Sequence, residues 1–363
     1  MNVSSIVDFR KEIAALPPVS AQAAGEFQTA LPVLLSQIRR TLETAGTLPG
    51  ESLNPEQLEF VQDIQRFFGA TLASVFEFGL TEALAEEMEW VAGTFRGRGI
   101  GPHFLRRMCK TWIITLHGTV RTSVLKEAVP ALERISAHAD AFFSAPSREE
   151  PAPDPESPVF LRHLLDNRKE DALKTALVHS GRHPVGVTVS RLFLHSLEAI
   201  GRFWSDNRIS VADEHLATAN ARWVASSFFA SLKPSPPRRQ TVAVFSVPGD
   251  EHSLGAELLS RYLEFRGWTM LFLGQSMPES ELARTIEKEK PRAAVITVGM
   301  IFNLAAFRRT VLELRRRAPE LRIFGATSRV HARPLLETLC DGVPASFEEC
   351  DALLAGRGKP RAS

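Results

Sequence analysis

Apolar residues recur at helical spacing through the first 145 residues. Leu58, Val61, Ile64, Phe67, Phe68, Leu72, Val75 and Phe76 lie on one such face. The stretches 82–95 and 104–120 repeat the pattern, and no alternating β-branched run interrupts it. This segment predicts an all-helical domain of five or six helices with its own core. A second helical stretch follows, with helices expected at 159–166, 169–180, 184–204 and 210–232. The short turns between them indicate an antiparallel four-helix bundle. Ser210 is a candidate N-cap, which puts Asp213 and Glu214 in or near the favourable first turn.

The period changes after residue 240. Buried-strand runs at 241–247, 269–273, 293–298 and 322–326 alternate with helical runs at 253–265, 278–288 and 305–317. Alternation of this kind predicts a parallel, doubly wound sheet, whose ligands sit at the carboxyl ends of the strands. Two proline-rich stretches, 144–158 and 233–239, separate the three parts. The expected class is therefore multidomain, α plus α/β. The domains are 1–145 (all-helical), 159–232 (helical bundle) and 238–357 (Rossmann-like sheet). The tail after Leu354 is short and basic and reads as disordered.

Composition narrows the setting. The 363 residues carry a net charge of +1, which gives no overall pull toward nucleic acid. No apolar run approaches the ~18 residues needed to span a bilayer, and the N-terminus is not a secretory signal. Cys109, Cys340 and Cys350 show no metal-ligand spacing, so a cytoplasmic setting is expected.

The chemistry concentrates in two strings. Asp250-Glu251-His252-Ser253-Leu254-Gly255 follows the first strand, at the ligand edge. A neutral imidazole there suits cobalt or iron, and Asp250 can accept its other ring N–H. Gly255 lets backbone or ligand approach closely. Gly299, Gly325 and Ala326 follow later strands at the same edge, where small residues leave a slot between sheet and helix. The plain alternative is a surface histidine beside a helix start. The second string is Trp204 followed, after nine residues, by Glu214-His215. By itself it reads as a core tryptophan and an exposed polar pair.

The D-x-H-x-x-G string resembles the cobalamin-binding domains of methionine synthase, corrinoid methyl carriers and cobalamin photoreceptors. That resemblance implies His252 as the lower cobalt ligand and a nucleotide tail in the slot of small residues. Thr297-Val298-Gly299 stands where the family has serine-x-leucine, and Gly325-Ala326 where it has a glycine pair. Thr297 keeps the hydroxyl, and Ala326 narrows the slot. The string from Leu197 to His215 resembles the helical cap of the light-sensing cobalamin regulators. This implies adenosylcobalamin, with Trp204 packed on the adenosyl group and Glu214 and His215 on that group or the corrin rim. Ser205 replaces the histidine that ligates cobalt after photolysis in some of those proteins, leaving His195, His215 or another histidine for that role.

The architecture, with strings such as Glu87-Met-Glu-Trp-Val91 and 96–103, is most similar to the photocobilins, which pair cobalamin with a bilin. The resemblance implies biliverdin in the N-terminal domain. Trp90, Arg96, His103, Arg106 and Trp112 are the candidate contacts, and Cys109 a conceivable thioether site. Haem on His103 or His117 is the rival there. The expectation is a non-enzymatic light sensor that forms a light-dependent homo-oligomer (dimer or tetramer) and acts on an unknown effector. It is expected to bind neither nucleic acid nor membrane. A corrinoid methyl carrier serving a separate methyltransferase is the alternative.

Overall fold

A computed structural model describes residues 5–45, 53–145, 152 and 154–357. The chain divides into two compact units, Met1–Glu149 with Ser205–Arg208, and Glu150–Trp204 with Ile209–Ser363. Much of the expected 144–158 linker, and the tail from 358, lie outside the described residues.

The first unit is helical throughout. Its helices are α1 (Ile6–Ala14), α2 (Ala21–Ala45), α3 (Pro55–Phe78), α4 (Leu84–Gly97), α5 (Pro102–His117), α6 (Thr122–Ala137) and α7 (Ala139–Ser144). The described residues thus hold seven helices where five or six were expected. α1 and α7 are too short to carry a clear apolar period. Sequence chemistry sets the ends. Asn54 and Gln57 form a reciprocal capping box before α3, with Pro55 in its first turn, and Gly79 ends the helix at φ 67°. Phe27, Phe68, Phe76, Phe95 and Trp112 fill the core.

The second unit joins the bundle to the sheet. The bundle consists of α8 (Glu156–Leu165), α9 (Lys169–Ser180), α10 (Val185–Thr188), α11 (His195–Ser205) and α12 (Val211–Ala230). A π-helical segment, Val189–Leu194, links α10 to α11. The expected single helix over 184–204 is thus one rod with a widened turn. Apolar spacing does not register such a change of winding. Ser210 caps α12 as expected: its hydroxyl accepts the Asp213 N–H at 3.1 Å, and Asp213 accepts the Ser210 N–H at 2.9 Å.

The sheet holds β1 (Thr241–Ser246), β2 (Thr269–Gly274), β3 (Ala293–Thr297) and β4 (Arg322–Ala326), in the order β2-β1-β3-β4. All three pairings are parallel. The helices between and after them are α13 (Leu254–Phe265), α14 (Glu279–Glu289), α15 (Leu304–Arg317), α16 (Arg333–Leu339) and α17 (Phe347–Leu354). Phe160, Phe193 and Phe228 of the bundle share one core with Val242, Val295, Tyr262 and Phe347. Each fully buried side chain of this size contributes about 1.5–3 kcal/mol. The expected doubly wound parallel sheet is present.

Candidate functional site

β1 ends at the carboxyl edge, and the chain turns through Pro248-Gly249 before α13 begins. Gly249 takes φ 83°, a left-handed conformation that costs glycine least. Asp250 follows with 1% exposure. Its carboxylate gathers three N–H groups. Oδ1 accepts the His252 backbone N–H at 3.0 Å and stands 2.9 Å from the ring Nδ1, while Oδ2 accepts the Gly299 N–H at 2.6 Å. Burial pushes the Asp250 carboxyl up, but the bonds from His252 and Gly299 outweigh it and hold it below the usual carboxylate range. His252 is shifted the other way. The bond to Asp250 holds its pKa above the usual value, against desolvation and the nearby Arg329 cation.

This arrangement fixes the imidazole for ligation. Nδ1 faces the buried carboxylate, so the proton of the neutral ring sits there and Nε2 carries the lone pair. The side chain is 65% exposed. A Cβ on Gly299 would meet Asp250 Oδ2 and His252 Cβ, both at 3.2 Å, whereas one on Gly255 would meet nothing within 4 Å. Gly299 therefore allows the close approach of two loops, and Gly255 leaves open space. Were a corrinoid bound at this edge, the carboxylate-oriented imidazole of His252 would be the group that holds its metal.

α12 stands over this edge. Arg222 Nε donates to Glu257 at 2.9 Å, and Phe229 packs on Phe265 at 6.5 Å. The two contacts keep the same offset within one residue, so α12 runs alongside α13 in the same direction. Extrapolated back, α12 extends about eight residues, or about 12 Å, beyond the start of α13. Val211, His215 and Thr218 share the Arg222 face at spacings of four and three. That face lies on the side of the carboxyl edge. His215 Nδ1 lies 2.6 Å from Glu214, which also accepts the Thr218 hydroxyl at 2.9 Å. Trp204, half-buried, lies in the last turn of α11, and the connection 206–210 returns the chain to α12. Trp204, Glu214 and His215 therefore share one end of the bundle.

Other candidates fall elsewhere. The Thr297 hydroxyl pairs with Ser246 at 3.1 Å, across the β1–β3 register, while the Gly299 amide occupies Asp250 Oδ2. Gly325 has side chains of the chain itself for neighbours. A Cβ there would meet Leu336 at 2.9 Å, Phe307 at 3.2 Å and Cys340 at 3.3 Å. It faces α15 and α16, whereas Ala326 packs on the core shared with the bundle. Adjacent strand residues face opposite sides of a sheet, so these two lie on different faces.

In the helical unit the candidates divide between core and surface. Trp112 is fully buried, donates to Gln65 at 2.6 Å and stacks 6.3 Å from Phe27. Trp90, half-buried, lies 4.7 Å from Phe67. His103 is exposed in the first turn of α5. Arg96 donates to the Phe143 and Ala145 carbonyls at 2.9 and 3.0 Å, and Arg106 pairs with Asp140. Cys109 is fully buried, which pushes its thiol pKa up and disfavours the reactive thiolate.

Sequence reasoning missed two residues at the edge. Asn303 is 7% exposed, and its Nδ2 has no hydrogen-bond partner. Arg329 donates from Nε to the Gly299 carbonyl at 2.9 Å. Each is a lone polar residue after a strand, with no motif to mark it.

The family model described as B12 binding domain matches residues 240–346. No curated protein matches the chain. Among solved structures, the Methanosarcina barkeri monomethylamine corrinoid protein aligns with a TM-score of 0.44 and 13% identity, covering 54% of this chain and 94% of that one. A cobalamin-binding protein from Desulfitobacterium hafniense DCB-2 gives 0.31 and 12%, covering 55% and 98%. The methanol:cobalamin methyltransferase complex MtaBC from Methanosarcina barkeri gives 0.30 and 16%, covering 60% and 88%. The C-terminal sheet of this chain is a Rossmann-like B12-binding domain, and the ligand that the match supports is a cobalamin or corrinoid.

Proposed function

We propose that the chain binds a corrinoid through His252 as the lower cobalt ligand. The observation that carries this reading is the exposed imidazole whose Nδ1 is held by buried Asp250. Asp250 fixes the tautomer, Gly299 holds Asp250, and α12 bounds the space above the edge. When bound, the corrinoid supplies a cobalt–carbon bond whose chemistry is its own. The chain's residues orient it and control access to its upper side.

The use that asks least of the structure is carriage: a corrinoid carrier presenting a methyl group to a separate methyltransferase. It needs the lower ligand and a reachable upper side, and Val211 and His215 at that side are exposed. The second reading is a light sensor holding adenosylcobalamin. Its supporting observation is that Trp204, Glu214 and His215 lie at one end of the bundle, where α11 turns into α12. That reading adds biliverdin in the helical unit, light-dependent association of copies and a downstream effector. Neither reading makes the chain an enzyme on its own. No helix among the described residues is long and apolar enough to cross a membrane.

The test begins with hydroxocobalamin and the His252→Ala variant. The wild-type cob(II)alamin form is expected to show nitrogen hyperfine splitting from a histidine isotopically labelled in the protein, and the variant to lose it. An unaltered spectrum and affinity in His252→Ala overturns the ligand assignment. Adenosylcobalamin-loaded protein under green light separates the two uses. The sensor reading expects a change in assembly state that Trp204→Ala abolishes; the carrier reading expects no change. Loading with biliverdin tests the helical unit by far-red absorbance, where a haem would give a Soret band.

A further inference from the structure

The structure assigns a positioning role to Arg329, and this inference rests on the reading of His252 as the cobalt ligand. Arg329 lies on the connection from β4 to α16, at the carboxyl edge. Its backbone N–H is held by the Thr327 hydroxyl at 3.0 Å. Its guanidinium reaches across to the loop after β3, where Nε donates to the Gly299 carbonyl at 2.9 Å and Nη2 lies 3.2 Å from Met300 Sδ.

Gly299 is therefore gripped on both sides of a Cα that has no side chain. Its carbonyl accepts from Arg329, and its amide donates to Asp250 Oδ2 at 2.6 Å. Asp250 Oδ1 in turn faces His252 Nδ1 at 2.9 Å. Three links run from a fixed cation to the ring that would bind cobalt, and they tie together the loops after β1, β3 and β4. Glycine has the widest backbone freedom, so a clamp on its carbonyl is what keeps its amide aimed at the carboxylate. A guanidinium suits that role because it is always charged, planar, and able to reach two acceptors at once. Arg329 itself need not touch the corrinoid. It acts through Gly299 and Asp250 on the aim of His252.

The test uses the full chain with Arg329→Ala, Arg329→Gln and His252→Ala. Three readouts are compared: hydroxocobalamin affinity, histidine hyperfine splitting in the cob(II)alamin form, and the His252 ring tautomer in the ligand-free protein by nitrogen NMR. Arg329→Ala is expected to weaken hydroxocobalamin binding about 10- to 100-fold, as loss of an outer-shell partner does. It should also lower the fraction with histidine on cobalt and mix the tautomers, with its thermal midpoint unchanged. Millimolar guanidinium should restore the signature, which no purely structural role would predict. If both Arg329 variants keep wild-type affinity, splitting and tautomer while His252→Ala loses the splitting, the positioning role falls and the ligand reading stands. If His252→Ala itself keeps the splitting, the ligand reading falls, and the ligand-free tautomer decides the Arg329 relay alone. Should Arg329→Ala fail to fold, Arg329→Gln and Thr327→Ala carry the same readouts.

Discussion

Replacing Asp250 by alanine removes the acceptor on which the site is built. Asp250 is 1% exposed and receives the His252 N–H at 3.0 Å and the Gly299 N–H at 2.6 Å. Each buried donor left without a partner costs about 1–3 kcal/mol, so the two backbone groups together cost about 2–6 kcal/mol. The third bond, to the His252 ring, adds little because that side chain is 65% exposed and can turn to water. The pH dependence follows from the two shifts. Asp250 is held below 3.8, so its contribution is present above that pH and fades as pH falls through the folded value. His252 is held above 6.5, so its contribution is complete below that pH and fades as pH rises through the folded value. The stability gap between wild type and Asp250→Ala should thus be widest between about pH 4 and pH 6.5. Urea unfolding of the ligand-free chain across pH 4–8 measures it. A gap under about 0.5 kcal/mol throughout would refute the idea that Asp250 organises these loops.

Three further outcomes are expected. Gly325→Ala drives a methyl into Leu336, Phe307 and Cys340 and should cost about 1–3 kcal/mol by thermal unfolding. Its hydroxocobalamin affinity should match the wild type, whereas a glycine lining a ligand slot would show the reverse. Asp351, 5% exposed, accepts the Trp268 indole N–H at 2.8 Å and pairs with Arg238 and Arg266, each at 3.0 Å. Asp351→Ala should destabilise the second unit by about 3 kcal/mol in a denaturant titration, whereas Asp351→Asn should cost less. Asp154 is pushed up by burial, but bonds from His179 and Ser157 outweigh that and hold its carboxyl below 3.8. Its stabilising contribution is present above pH 3.8 and lost as pH falls through the folded value, so Asp154→Asn should flatten the acid limb of the stability profile.

Much of the fold was legible because its signals are local. Helical spacing located α3, α4 and α5, the Ser210–Asp213 pair marked the start of α12, and short apolar runs alternating with helical ones located all four strands. The winding change at Val189–Leu194 was not legible, since apolar spacing continues through it. Asp250 and His252 were legible as neighbours in the chain. The Gly299 amide that completes the Asp250 shell lies 49 positions away and is a backbone group, which carries no residue signature. Thr297 carries a hydroxyl at the ligand edge, but the strand register turns that hydroxyl to Ser246. Arg329 and Asn303 carried no pattern at all.

The sequence by itself determined the alternation of strands and helices, the loop that carries His252, and the carboxylate beside it. These depend on period and nearest neighbours, which a chain specifies locally. Only the tertiary structure decided which groups share that loop's chemistry. The parallel register brought Gly299 under Asp250. Strand alternation sent Gly325 and Ala326 to opposite faces. Side-by-side packing of α12 and α13 set Glu214 and His215 beyond the carboxyl edge. Each outcome depends on pairing between segments distant in sequence, a geometry that exists only once the core has closed.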